Sequence, residues 1–214
     1  MSRRASARRT TGETDVAVEL VVDGGGRAEI ATGVAFFDHL LSALARHGGF
    51  DLAVRAAGDL AVDAHHTVED AGIVLGQALR QAVGAGEGIA RFASIHLPMD
   101  DALVLVALDV SGRPFLHFDV TFPTDRVGAF PVDLVEEFLR AFATHAAITL
   151  HVAGQHGRNS HHLAEAIFKG LGVTLRRADG RTLGRREALD MDPRRGHAEA
   201  EERGYGALWF GEAT

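Results

Sequence analysis

The chain has 214 residues, a net charge of −7, a sequence pI near 5.9 and 46% hydrophobic side chains; that is enough apolar mass for a proper core and lacks the basic surplus that nucleic-acid binding needs. There is no cysteine, so disulfides and thiolate metal sites are excluded and any metal must be held by imidazole and carboxylate. No apolar run approaches the roughly 18 residues of a membrane helix, so the expectation is a soluble, cytoplasmic protein with neither nucleic acid nor membrane as partner.

Residues 1–9 carry four arginines and no acid and read as a short basic tail. Asp15 to Ile30 alternates apolar and polar residues around Asp23-Gly24-Gly25-Gly26, the pattern of a β-hairpin. A helix follows through Phe37 to His47, then a strand from Phe50 to Val54. His65-His66-Thr67-Val68-Glu69 opens a second helix, in which Ala71, Val74, Leu75, Ala78 and Leu79 keep helical period until Gly84 and Gly86 end it. A second alternating run, Asp101 to Val120, breaks at Ser111-Gly112-Arg113-Pro114 and again reads as a hairpin. The helix through Val135 to His145, the strand Ile148 to Val152 and a helix opened by His161-His162-Leu163-Ala164-Glu165 complete the pattern.

The chain is therefore written twice. An offset of 98 superimposes Phe37 to His47 on Val135 to His145, and an offset of 96 superimposes His65-His66-x-x-Glu69 on His161-His162-x-x-Glu165. The expected fold is α+β, with two similar tandem repeats of hairpin, helix, strand and helix at 10–95 and 96–180, forming one sandwich and followed by a divergent tail at 181–214.

Twelve histidines occur, and all but His197 fall between residues 39 and 162. On a helix, residues four apart lie about 40° apart around the axis, so His65 and Glu69 share a face, as do His161 and Glu165, while the adjacent His66 and His162 point elsewhere. A lone His-His pair is usually a surface feature; two in the same place of a repeat, each with Glu in register, point to metal. The first helices add His39 and Glu137 at equivalent positions, giving eight potential ligands. Imidazole with carboxylate suits Mn, Fe, Zn or Ni, in two sites related by the repeat or in one site per subunit pair.

Phe37-Asp38-His39-Leu40-Leu41, His47-Gly48-Gly49-Phe50, Asp63 through Asp70, Pro98-Met99-Asp100-Asp101, Ser111-Gly112-Arg113-Pro114 and Asn159 through Lys169 together resemble imidazoleglycerol-phosphate dehydratase of histidine biosynthesis. The resemblance implies a duplicated sandwich of the ribosomal-S5-domain-2-like kind, a 24-subunit particle built from trimers, and two Mn²⁺ ions per active site at subunit contacts. It implies loss of water from imidazoleglycerol phosphate to give imidazole-acetol phosphate, through a metal-bound imidazolate. The implied metal ligands are His39, His65, His66, Glu69, Glu137, His161, His162 and Glu165. Glu13 matches the acid-base carboxylate, with Glu69 and Glu165 also catalytic. Glu13, His39, His47, His65, Glu69, Arg91, Arg113 and Lys169 match the substrate contacts, and the two arginines suit a phosphate.

Two departures stand out. Many relatives have His where this chain has Glu137, a position His145 or His151 could serve instead. The closing Pro-Ser-Thr-Lys-Gly loop is replaced by Met191 to His197 and an acidic tract, where Arg194 and Arg195 offer another phosphate grip. The alternatives are a metal-dependent hydrolase on the same duplicated fold, or an assembly-forming homologue with weakened catalysis.

Overall fold

The computed structural model describes residues 3–180; the divergent tail with Arg194 and Arg195, and the question of its phosphate loop, lie outside them. The first half runs β1 (Arg4–Thr10), β2 (Thr14–Val21), β3 (Ala28–Ala31), α1 (Ala35–Gly48), β4 (Asp51–Gly58) and α2 (His65–Val83). The second runs β5 (Phe92–Met99), β6 (Ala102–Asp109), β7 (Phe115–Asp119), the short pair β8 (Arg126–Val127) and β9 (Phe130–Pro131), α3 (Asp133–Ala146), β10 (Thr149–His156) and α4 (Ser160–Ala178).

The mixed α+β class holds, and the two four-stranded sheets have one and the same order, β1-β2-β4-β3 and β5-β6-β10-β7. Alternation builds the strands: Thr14, Val16, Val18 and Leu20 of β2 face inward and are buried, while Asp15, Ala17 and Glu19 face out. α2 packs on the first sheet and α4 on the second; between the sheets α2 meets α3 and α1 meets α4. Phe138 of α3 lies 5.4 Å from the Phe37 ring of α1 and 5.1 Å from the Phe168 ring of α4, centring the core.

Three expectations need correction. The runs Asp15–Ile30 and Asp101–Val120 are not hairpins, because β4 inserts between β2 and β3 and pairs parallel to β3, as β10 does between β6 and β7. The glycine segment after β2 is instead tied to β4, whose Asp51 carboxylate accepts the Gly25 and Arg27 N–H groups at 2.9 and 3.1 Å. The true hairpins are β1–β2 and β5–β6. Consequently the supposed basic tail is mostly strand β1, three of its four arginines matched by acids: Arg3 to Asp23, Arg8 to Asp15 and Arg9 to Asp70. The boundary at 95/96 falls inside β5.

Both helix pairs cross where side chains vanish. A Cβ at Gly76 of α2 would stand 2.7 Å from the Phe142 carbonyl oxygen, and one at Gly172 of α4 would stand 2.5 Å from the Leu44 carbonyl oxygen. These glycines are 96 residues apart, the offset of the two His-His-x-x-Glu copies. The ends of α1 and α3 match as well: Gly49 and Ala147 both cap in the left-handed region, at φ 64° and 54°, and alanine occupies it against its steric preference.

Candidate active site

The ligand helices begin in matching ways. The Asp63 side chain accepts the His65 N–H at 2.8 Å and the Asn159 side chain accepts the His161 N–H at 2.9 Å, which satisfies a free helix-start donor and sets the first turn of each. On α4, His161 Nε2 lies 3.1 Å from Glu165 Oε2, one turn further along, as the i, i+4 spacing requires. His39 of α1 brings its Nε2 to 3.3 Å from the same oxygen. Donor atoms of His39, His161 and Glu165 all lie within 4.8 Å of one another, the one such trio among the described residues. Phe36 walls it, its ring 4.9 Å from that of His161.

Lys169, a further turn along α4, reaches Glu165 Oε1 at 2.8 Å. Burial works against a charged Glu165, but hydrogen bonds from Lys169 and His39 outweigh it and hold the carboxyl below its ordinary range. His39 and Glu165 open on a groove of about 600 Å³ lined also by Ser42, Arg46, His47 and Lys169, and His161, with His39 again, lines another cavity of about 840 Å³ beside Phe36 and Phe130. His47 is pressed to a lower pKa by the surrounding protein, then by the positive Lys169 and Arg46. A third cavity, of about 260 Å³ beneath Leu79, Ile148 and Leu175, is lined by no histidine.

The other expected ligands stand apart from this trio. His162 turns away from it, with Nδ1 2.6 Å from Asp101 Oδ1. His66 does the equivalent on α2, with Nδ1 3.0 Å from Asp59 Oδ2. Each aspartate fixes the ring through Nδ1, the usual support of a metal-binding imidazole; the Nε2 of His162 faces Asp100 Oδ2 at 3.6 Å. The Asp59 hydrogen bond raises the His66 pKa against some desolvation, and the charges of Asp59, Glu13 and Asp63 add to it; the His162 hydrogen bond and the Arg158 N–H lower that of Asp101. His65 packs edge-on to His66, their centroids 6.0 Å apart. Glu69 and Glu137 are half-buried near the starts of α2 and α3. Neither substitute for position 137 joins the trio: His145 bonds back to the Ala141 carbonyl at 2.9 Å, and His151 lies on the sheet face 5.5 Å from the His117 ring.

Glu13 is exposed in the β1–β2 turn, its N–H bonded to Thr11 Oγ1 at 3.1 Å. Arg91 and Arg113 converge on one carboxylate, Asp109, at 2.7 and 3.4 Å. They sit far from the trio. Arg91 donates its N–H to the carbonyl of Ala178, at the end of α4, whereas His161 and Glu165 occupy the first turns of that 19-residue helix, roughly 28 Å long. Asp59 and Asp109 carry no motif in the sequence, and Asp101 belongs there only to the Pro98-Met99-Asp100-Asp101 motif.

The residues fit a divalent ion. Nitrogen and oxygen donors without sulfur, converging on one point beside an open groove, suit a hard or borderline cation with coordination places left for a ligand.

The family model for imidazoleglycerol-phosphate dehydratase matches residues 32–175. A protein of that name from Cereibacter sphaeroides is 52% identical over 202 residues, covering 94% of this chain and 98% of its own. Another, from Methylorubrum extorquens, is 56% identical over 176 residues, covering 82% and 90%. Among solved structures, the Pyrococcus furiosus enzyme superposes with a TM-score of 0.72 at 43% identity, covering 82% of this chain and 94% of that one. The Staphylococcus aureus enzyme does so at 0.73 and 35% identity, covering 83% and 99%. With most of its length and both ligand helices inside these matches, the chain belongs to the imidazoleglycerol-phosphate dehydratase family.

Proposed function

We propose that this chain removes water from imidazoleglycerol phosphate to give imidazole-acetol phosphate in histidine biosynthesis, in the cytoplasm, at a site holding two Mn²⁺ ions. The observation that carries the reading is the convergence of His39, His161 and Glu165 on one point, with His39 and Glu165 opening on a groove lined by Lys169 and His47. When bound, the ions supply Lewis acidity to the substrate's imidazole.

The remaining steps belong to side chains. His39, His161 and Glu165 hold one ion, and His65, His66, Glu69, Glu137 and His162 supply the remaining donors. Lys169 balances the Glu165 charge and faces the substrate with His47. Glu13 is the acid-base carboxylate: it takes the proton of the carbon beside the one bearing the departing hydroxyl, and that carbon–oxygen bond breaks as the carbon–carbon double bond of the enol forms. The hydroxyl leaves as water with the proton Glu13 returns, and the enol relaxes to the ketone. Arg91 and Arg113 grip the phosphate, which competes with Asp109 for their guanidinium forks.

One copy does not complete this site. Its phosphate arginines lie at one end of α4 and its trio at the other, farther apart than a small phosphate ester spans, so the arginines that serve one copy's metals come from a neighbour. A closed assembly supplies that arrangement, and we take it to be a 24-subunit particle of trimers.

The test is direct. Purified protein with Mn²⁺ and imidazoleglycerol phosphate should yield the ketone; no product at any Mn²⁺ concentration would sink the reading. Size-exclusion chromatography with and without Mn²⁺ checks the assembly, which should fall to a smaller species on chelation.

A further inference from the structure

Asp70 follows the ligand Glu69 on α2, and its counterpart in the second half, 96 residues on, is Ala166. It is 5% exposed. A buried carboxylate is costly unless its oxygens are bonded, and here each oxygen is bonded to a different strand of the β1–β2 hairpin. Oδ1 accepts from Arg9 Nε of β1 at 2.8 Å, and Oδ2 accepts from the Thr14 hydroxyl of β2.

The bonds continue into the turn that carries Glu13. Thr11 Oγ1 accepts the N–H groups of Glu13 and Thr14 at 3.1 and 3.0 Å, and Thr11 N–H donates to the Thr14 carbonyl at 2.8 Å. The backbone of Glu13 is thus tied through Thr11 and Thr14 to a carboxylate adjacent in sequence to Glu69. An apolar contact would bury the same hairpin, but only directional bonds fix its orientation on the helix. The second half lacks this device: its β5–β6 turn is held from α4 by His162 on Asp101, with Ala166 at the equivalent of Asp70.

We infer that Asp70 is a positioning residue for the dehydration: through Thr14 and Thr11 it holds the Glu13 turn in register with the ligand helix. The inference rests on Glu13 being the proton-carrying carboxylate.

The test uses the full chain, loaded with Mn²⁺ for kinetics. In Thr14→Val and Asp70→Asn, kcat should fall roughly 10- to 100-fold, the scale of a small misplacement of a reacting group, while KM and Mn²⁺ affinity stay within about twofold. Thr14→Ser, which keeps the hydroxyl, should restore kcat. In metal-free protein, amide hydrogen exchange at Glu13 and Thr14 should accelerate in Thr14→Val and not in Thr14→Ser. Equal losses in Thr14→Ser and Thr14→Val would overturn the role. So would an unchanged kcat in Thr14→Val beside a low kcat in Glu13→Gln. An unchanged kcat in Glu13→Gln would instead remove the assignment of Glu13 itself, with the exchange data still reporting whether the clamp exists.

Discussion

His39 Nε2 stands 3.3 Å from Glu165 Oε2, and this contact joins the first helix of one half to the last helix of the other. Glu165 is the acceptor shared by His39, His161 and Lys169, so Glu165→Gln removes the only negative charge of the trio. Mn²⁺ binding by calorimetry should weaken by at least the roughly 10- to 100-fold seen when even an outer partner of a metal ligand is lost. Metal affinity within twofold of the parent would show that the ion sits elsewhere.

Glu13→Gln keeps the size and backbone contacts of the turn but cannot take a proton. Its kcat should fall about 10²- to 10⁴-fold, with Mn²⁺ uptake unchanged. Steady-state kinetics and calorimetry on the same preparation separate a chemical from a binding defect.

His66 has its pKa raised above the ordinary 6.5 by the Asp59 hydrogen bond. The sign for folding is that this pair's contribution is fully present below the ordinary imidazole value and fades as pH rises through the raised one. For metal the sign reverses, because the ion needs the neutral ring. Mn²⁺ uptake should therefore fall as pH drops through the raised His66 value, above where a free imidazole would lose it. Asp59→Asn should move the His66 NMR titration of the metal-free protein back toward 6.5; a parent ring already titrating at or below that value would contradict the geometry.

Because Arg91 lies at the far end of α4 from Glu165, an Arg91→Ala variant and a Glu165→Gln variant should fail at different parts of the proposed shared site. Mixed in equal amounts, stripped of metal and reassembled, they should regain activity at about a quarter of the sites by random assortment in a closed assembly. No recovery would mean that each copy completes its own site.

Gly76→Ala places a methyl 2.7 Å from the Phe142 carbonyl and 2.8 Å from the Ala146 nitrogen. Alanine gains up to about 1 kcal/mol of helix propensity, but backbone atoms of α3 must move, an overpacking cost of about 1–3 kcal/mol. Thermal unfolding should show a net loss of stability.

Much of this was legible in the sequence because its signals are local or repeated. The period of Ala71 to Leu79 and the two copies of His-His-x-x-Glu specify helices, and in the second copy the i, i+4 spacing sets His161 on Glu165. Strand order was not legible: Asp23-Gly24-Gly25-Gly26 has turn chemistry, yet β3 pairs with β4, which comes after an intervening helix, and the long-range bonds from Asp51 decide the path. The basic stretch Arg4 to Arg9 looked like a tail because the acids that neutralise it lie 7 to 61 residues further on. Asp59, Asp101 and Asp70 were invisible as partners for the same reason, since an aspartate's role depends on what the fold sets opposite it. Nor does spacing say that His39 joins His161 and Glu165, a grouping that depends on how α1 lies against α4.

That packing has a bearing on the chemistry. α4 touches α1 at Gly172, against the backbone of Leu44 and Gly48, on the same two helices that bring His39 to Glu165. The bare glycine acts as the gauge of the ligand gap: a methyl there would pry α1 from α4 and widen the space between imidazole and carboxylate two turns away. If the trio holds the proposed ion, Gly172→Ala should shift the relative affinities for ions of different radius, so that an outwardly inert position in the protein interior would tune metal preference without touching a ligand.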